Sequence, residues 1–319
     1  MALFLRYLPL AMMVTTLVLV AGLKADPVRI EGSSEHILSV PATGEKIRIL
    51  VWQPSGTPPA KGFPVVYVFD GDRHFGLFSD NARALEFRAK RTGRYPPVVV
   101  GIGYPAGEFT LKRRNYDLTP PAEQFVMPPR PNGLPWPEMG GGDVFLDAVE
   151  EVIKPFVQAA YPVNVDREAL FGHSFGGMMV LHSLFSRMDS YDMYIATSPS
   201  IWFNDKLVLR EAQAFMARDV DKAHSLLMMV GGNEQTIGRW ENVAGEQLEQ
   251  RKKWLAYNRM VDNARDLAAL IRSDEKARIN LAFEVIDGEG HGSVVPTATY
   301  RGLWYAISHQ NTTSPDGIK

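Results

Sequence analysis

Short, unbroken apolar runs recur along the chain: residues 65–69, 98–102, 169–171, 193–196 and 226–230, with a last run at 281–286 that alternates more. Continuous runs rich in β-branched residues fit strands covered on both faces, as in a mostly parallel sheet. Upstream, residues 36–40 and 47–53 flank Pro41-Ala42-Thr43-Gly44-Glu45. In the second run Ile47, Ile49 and Val51 fall on one face, which suggests an antiparallel hairpin. Helical spacing is expected over 145–160, 177–188 and 206–218. Strands alternating with helices predict an α/β fold, doubly wound, with helices on both faces of the sheet.

Two stretches interrupt this alternation. Residues 105–142 are rich in Pro and Gly and show little periodicity; at that length they are either a functional lid or a mobile segment. Residues 243–273 are helical and charged, with Leu248, Trp254, Leu255, Val261 and Leu267 available for an apolar side. They form either a small cap over a site or an excursion packed on the sheet edge. The rest of the chain, residues 26–319, is expected to be one catalytic domain carrying both insertions.

The first residues have a different character. Arg6 precedes an apolar stretch over 8–22, and small residues follow at Ala21, Gly22 and Ala25. The stretch is short for a bilayer span of about 20 residues and has the layout of a secretory leader at 1–25, cut after Gly22 or after Ala25. Export to a periplasm or to the exterior follows, with no membrane span left after cleavage. The chain has 319 residues, 45% of them hydrophobic, enough for a large core. Its formal net charge of −2 argues against a nucleic-acid partner, which calls for a basic face. With no cysteine, disulfides, thiol nucleophiles and thiolate metal sites are excluded.

The chemistry concentrates at Gly172-His173-Ser174-Phe175-Gly176, a G-x-S-x-G run between an apolar strand end and a helix. A serine hydroxyl is a weak nucleophile unless it is exposed beside a base, and small flanking residues permit the sharp turn that exposes it. Gly177 lets the following helix approach the sheet. His291 is the best base, because Asp287-Gly288-Glu289-Gly290-His291-Gly292-Ser293 is a glycine-rich loop just past the last strand. The acid is expected after the preceding strand. There Glu234 would accept the Nδ1 proton of His291, with Asp287 as its rival and a bare Ser–His pair as a third arrangement. Backbone N–H groups of Phe175 and of the Gly71–Asp72 turn are expected to hold an oxyanion. Asp70, Asp72 and His74 form an Asp-x-Asp-x-His run, but a turn after a central strand accounts for them without a metal, and no cofactor or metal is required. Arg113 and Arg114 would either bind an anionic substrate or pair locally with Asp117. His173, Trp202, Trp136 and Phe203 are further candidates to line a substrate pocket, or are plain core.

Taken together, several segments resemble the esterase family that includes esterase D, the enterochelin-type siderophore esterases and, more distantly, the mycolyltransferases, within the α/β-hydrolase superfamily. The matching stretches are Val66-Tyr67-Val68-Phe69-Asp70-Gly71, Val100-Gly101-Ile102-Gly103-Tyr104, residues 113–120, Tyr161-Pro162-Val163, residues 172–177, Ser198-Pro199-Ser200-Ile201-Trp202 and Gly290-His291-Gly292-Ser293. The resemblance implies a serine ester hydrolase with its nucleophile at Ser174 and its histidine at His291. It places the acid at Glu234 less firmly, because a helical insertion intervenes. The implied partner is a small ester, anionic or aromatic, with a siderophore trilactone as the sharpest case. A general carboxylesterase or acyltransferase of the same fold, and a non-catalytic binding protein on a hydrolase scaffold, remain the alternatives.

Overall fold

A computed structural model describes residues 27–105, 107, 111–130, 132–218, 222–238, 241–274 and 278–308. The leader expected at 1–25 lies outside the described residues. One eight-stranded sheet carries the fold: β1 (Ser33–Ser39), β2 (Lys46–Trp52), β3 (Phe63–Val68), β4 (Val98–Gly103), β5 (Val163–His173), β6 (Met193–Thr197), β7 (His224–Gly231) and β8 (Ile279–Ile286). Their order is β1-β2-β4-β3-β5-β6-β7-β8. The expected hairpin is present: β1 pairs antiparallel with β2, and β2 antiparallel with β4. From β4 through β8 every pairing is parallel.

Burial explains why the central runs could be read from sequence. Every residue of β3, β4 and β6 is buried, so both faces demand apolar side chains. Successive residues feed two separate cores. Val65, Tyr67 and Phe69 enter one together with Val98, Val100 and Leu170. Val66 and Val68 enter the other with Val99, Ala169 and Phe171. The second core is closed by two helices, α1 (Gly71–Thr92), through Phe75, Phe78 and Leu85, and α9 (Val294–Ser308), through Val294, Ala298 and Leu303.

The other face is covered by several helices. A run from Gly142 to Ala160 is α3 (Gly142–Ala148), a π-helical turn (Val149–Ile153) and α4 (Lys154–Ala160). Buried Lys154 follows the wide turn and holds Glu168 at 2.8 Å and Glu150 at 3.0 Å, which ties the run to β5. Next come α5 (Phe175–Ser186) and α6 (Phe203–Met216). Asn204, Asp205 and Lys206 take left-handed backbone angles, so regular helix begins after them, near the expected start at 206.

The stretch 105–142 contains one short helix, α2 (Leu111–Asp117), and otherwise irregular backbone. Residues 243–273 fold into α7 (Gly245–Asn258) and α8 (Met260–Arg272). The two readings of this stretch divide between the helices. Helix α8 is an ordinary β7-to-β8 crossover with Val261, Ala264, Leu267 and Ile271 in the core. Helix α7 is exposed over most of its length and turns Trp254 and Leu255 toward the C-terminal rim of the sheet. Among the described residues no helix is long and apolar enough to cross a membrane.

Candidate active site

All the expected chemistry lies beyond the carboxyl ends of the parallel strands. Asp70 follows β3, Ser174 follows β5, Ser198 follows β6, Glu234 follows β7 and His291 follows β8. The chain changes winding direction between β3 and β5, and open α/β sheets place their sites at such a switch point.

Ser174 has φ 61° and ψ −119°, a left-handed backbone that an L-residue adopts only under constraint. Two bonds to the β6 end supply the constraint. The Ser174 N–H donates to Thr197 O, and the Ser200 N–H donates to Ser174 O, each at 3.1 Å. Gly172 is dictated by the same bend: a Cβ there would lie 2.2 Å from the Gly176 carbonyl oxygen. The turn pushes Oγ outward and makes Phe175 the first residue of α5, where an N–H has no acceptor within the helix.

The side chains expected to act together are within hydrogen-bonding distance. Ser174 Oγ lies 3.0 Å from His291 Nε2, and His291 Nδ1 lies 2.7 Å from Glu234 Oε2. The Glu234 side chain is fully buried, while His291 is about half exposed. Burying a carboxylate is costly unless its oxygens are satisfied. Here Oε1 accepts from Ser198 Oγ at 2.5 Å and from the Gly231 N–H at 2.7 Å. Asp287, the rival acid, is exposed in the turn before the histidine loop, and the Nδ1 of His291 is engaged by Glu234.

A cavity of about 390 Å³ opens over Ser174 and His291. Trp136 from the long loop, Trp202, and Trp254 from α7 line it, joined by Phe175, Arg114 and Arg251. The three indoles form one cluster, with Trp202 edge-on to Trp254 at 5.4 Å and Trp136 stacked on Trp254 at 6.3 Å. Arg251 is held by Glu241 at 2.7 Å.

The other expected residues are placed as follows. Arg114 pairs with Asp70 and not with Asp117, through two bonds of 2.5 and 2.7 Å, both partners buried. It reaches the cavity as a guanidinium already neutralised and lies over the Phe175 ring at 5.9 Å. Arg113 does not line the cavity. It pairs with Asp117 and Glu45 and covers the Tyr104 ring, because the i,i+4 spacing on α2 favours the local partner. His173 does not line it either: its Nε2 donates to the His291 carbonyl at 2.8 Å. Gly71 and Asp72 are not a loop but the first turn of α1. Gly71 is pressed onto β4, since a Cβ there would lie 2.5 Å from the Gly101 carbonyl carbon. The Asp72 carboxylate is turned away, to Arg48 at 3.2 Å and the Tyr104 N–H at 2.8 Å. With Asp70 on Arg114 and the His74 ring edge-on to Phe171, the three side chains of the Asp-x-Asp-x-His run point to different partners. Phe203 packs behind Phe175 as core.

Ser198 and Arg251 are the site residues that sequence reasoning missed. Ser198 carried only its place just past a strand end; its φ of 44° runs against the extended backbone expected of a residue before proline. Arg251 carried none, as one cation among many on a charged helix.

The mostly parallel sheet, with its antiparallel leading strands and helices on both faces, is the α/β-hydrolase fold. Residues 40–276 match the family model described as "Putative esterase". The chain belongs to that esterase family. It is 34% identical over 288 residues to the ferri-bacillibactin esterase BesA of Bacillus subtilis, covering 90% of this chain and 92% of that one. It is 39% identical over 248 residues to the siderophore triacetylfusarinine C esterase of Aspergillus fumigatus, covering 75% and 80%. The solved siderophore hydrolase EstA from Aspergillus nidulans superposes with a TM-score of 0.78 at 31% identity, over 89% of this chain and 97% of that one.

Proposed function

We propose that this chain is an exported serine esterase that cleaves ester bonds of a siderophore through an acyl-enzyme on Ser174. The observation that carries the reading is the Ser174–His291–Glu234 hydrogen-bond chain at the floor of an indole-lined cavity. As Oγ attacks the ester carbonyl, His291 Nε2 takes its proton. Glu234 accepts the Nδ1–H, fixes the tautomer and stabilises the imidazolium. The Phe175 N–H, with the Gly71 amide in the turn beside the elbow, binds the developing oxyanion. His291 then returns the proton to the departing alkoxide, and the alcohol leaves. Water, deprotonated by His291, attacks the acyl-enzyme; the acyl–Oγ bond breaks, His291 passes that proton to Ser174 Oγ, and the acid leaves.

The substrate class draws support from two directions. The named relatives are siderophore esterases, and the cavity presents three indoles beside Ser174, which suits an aromatic ester. Export rests on the leader at 1–25. The same reading takes residues 26–319 as one catalytic domain.

The test is mass spectrometry of the products formed by the secreted chain from ferric and metal-free trilactones, phenolic esters and acetylated sugars. Turnover of a trilactone, lost in Ser174→Ala, is the expected result. A fluorophosphonate probe that labels wild type but not Ser174→Ala separates an enzyme from a binding protein. Trilactone turnover retained in Ser174→Ala overturns the mechanism.

A further inference from the structure

Beyond the reaction cavity, on the far side of Trp254, lies a second open cavity of about 370 Å³. It is built from the irregular loop and from α7: Pro128, Pro129 and Arg130 on one side, Lys253, Trp254 and Tyr257 on the other. Trp254 lines both cavities, and Trp136, stacked on it, lines the reaction cavity. Two prolines, an indole and a phenol line the second cavity, a slot with flat apolar surfaces that suit a planar ring.

The charge at this slot has one sign. Arg130 lies over the Trp136 ring at 5.4 Å, with one nitrogen on the Pro135 carbonyl at 2.8 Å. Among the described residues neither Arg130 nor Lys253 is in an ion pair, whereas Arg114 and Arg251 of the reaction cavity are each matched by a carboxylate. The loop is held in place: the Trp136 indole N–H donates to Pro128 O at 2.7 Å, and the Val126 N–H donates to the buried Asn204 at 2.7 Å. Lys253 has Glu249 one helical turn away, so among the described residues Arg130 is the cation without a nearby carboxylate. Stacking walls, two lining cations and a shared wall with the reaction cavity select an aromatic ring that carries an acidic group.

We propose that this slot is a remote-arm subsite. It binds an anionic aryl arm of the same substrate while another arm's ester lies over Ser174. The proposal rests on the esterase reading above and adds to it a determinant of selectivity. Binding energy gathered at Trp254, Arg130 and Lys253 would favour esters with more than one aryl arm over esters with a single one.

The test separates this site from the chemistry. Full-length protein is first phosphonylated at Ser174 by a fluorophosphonate, which reports the elbow's reactivity by itself. 2,3-Dihydroxybenzoate is then titrated in, with indole fluorescence as the readout and benzyl alcohol as the neutral control. The expected result is saturable binding of the acid, absent for benzyl alcohol and weakened about tenfold or more by Lys253→Glu and by Arg130→Glu. In unmodified protein, the same two variants should raise KM for a three-armed aryl ester about tenfold more than for a one-armed aryl ester, with kcat little changed. No binding to the phosphonylated protein, or binding indifferent to both reversals, overturns the subsite while leaving the Ser174 chemistry standing. Binding of the free acid without any change in the three-armed to one-armed ratio overturns the tethered-arm assignment and makes the slot a site for free aryl acid. Failure of phosphonylation itself would instead strike at the esterase reading.

Discussion

The Nε2–H of His173 donates to the backbone carbonyl of His291 at 2.8 Å, with the two rings 4.6 Å apart. One histidine thus supports the loop that presents the other. Burial, then the proximity of His291 and His74, holds His173 well below the ordinary imidazole range, so it stays neutral with its proton on Nε2. Under the proposed mechanism neutrality matters, because a cation beneath His291 would oppose an imidazolium formed there during attack.

His173 is therefore a positioning residue. In His173→Phe the ring volume is kept and the donor is lost. We expect kcat to fall about 10- to 100-fold with KM nearly constant, and partial recovery in His173→Gln, whose amide can donate to the same carbonyl. A merely structural role would lower the melting temperature and leave kcat per folded molecule unchanged.

Glu234 spends both carboxylate oxygens: Oε2 on His291, and Oε1 on Ser198 and Gly231. Glu234→Gln keeps the volume but offers an NH₂ group to an acceptor-demanding site. The expected loss in kcat is about 10²- to 10⁴-fold, from a mispositioned imidazole and an unstabilised imidazolium. Ser198→Ala, which removes a bond to the same carboxylate, should cost far less. Steady-state kinetics on a p-nitrophenyl ester distinguishes them, and equal losses would contradict the roles given.

Legibility in the sequence followed burial and locality. Strands β3, β4 and β6 were readable because full burial leaves only apolar residues. That Ser174, Glu234 and His291 lie at one rim of the sheet was readable because each follows a strand end in chain order. Helix α1 was not. Its opening Asp70-Gly71-Asp72 has turn chemistry, and its apolar side, Phe75, Phe78, Ala82 and Leu85, is embedded in a strongly polar helix. The partner of Arg114 was illegible for a different reason. Asp117 is close in sequence, but that carboxylate serves Arg113, while Arg114 reaches Asp70, 44 positions away. Long-range pairing of a charge leaves no periodic trace, and neither does the convergence of Trp136, Trp202 and Trp254 from separate segments.

The buried Arg114–Asp70 pair makes a prediction about stability. Removing one member of a buried pair strands the other charge, at about 3–5 kcal/mol. Arg114→Met should lose stability of that order in urea unfolding. Asp70→Asn combined with Arg114→Met should be less destabilised than Arg114→Met alone, because no charge remains buried. Strict additivity of the two substitutions would show that the pair is not coupled.

A last prediction concerns pH. His182, buried on α5, lies 2.8 Å from Glu211 Oε1 and 3.0 Å from Asp143 Oδ1. Burial by itself would lower its pKa, but the hydrogen bonds to Asp143 and Glu211 outweigh it and raise the pKa to about 9. Both ring nitrogens donate only when the imidazole is charged, so the folded protein binds this proton more tightly than the unfolded chain does. A raised pKa gives stability that is fully present below the unfolded value of 6.5 and lost as pH climbs through about 9. Arg187, which also holds Asp143 and Asp147, stays charged throughout and does not compensate. Calorimetric melting temperatures should therefore hold steady near about pH 6 and fall by several degrees between about pH 6.5 and pH 9. His182→Gln, which can donate only from its amide nitrogen, should start less stable and show a flatter profile over the same range. A wild-type melting temperature that does not change across that window would mean the imidazole is neutral between its two carboxylates.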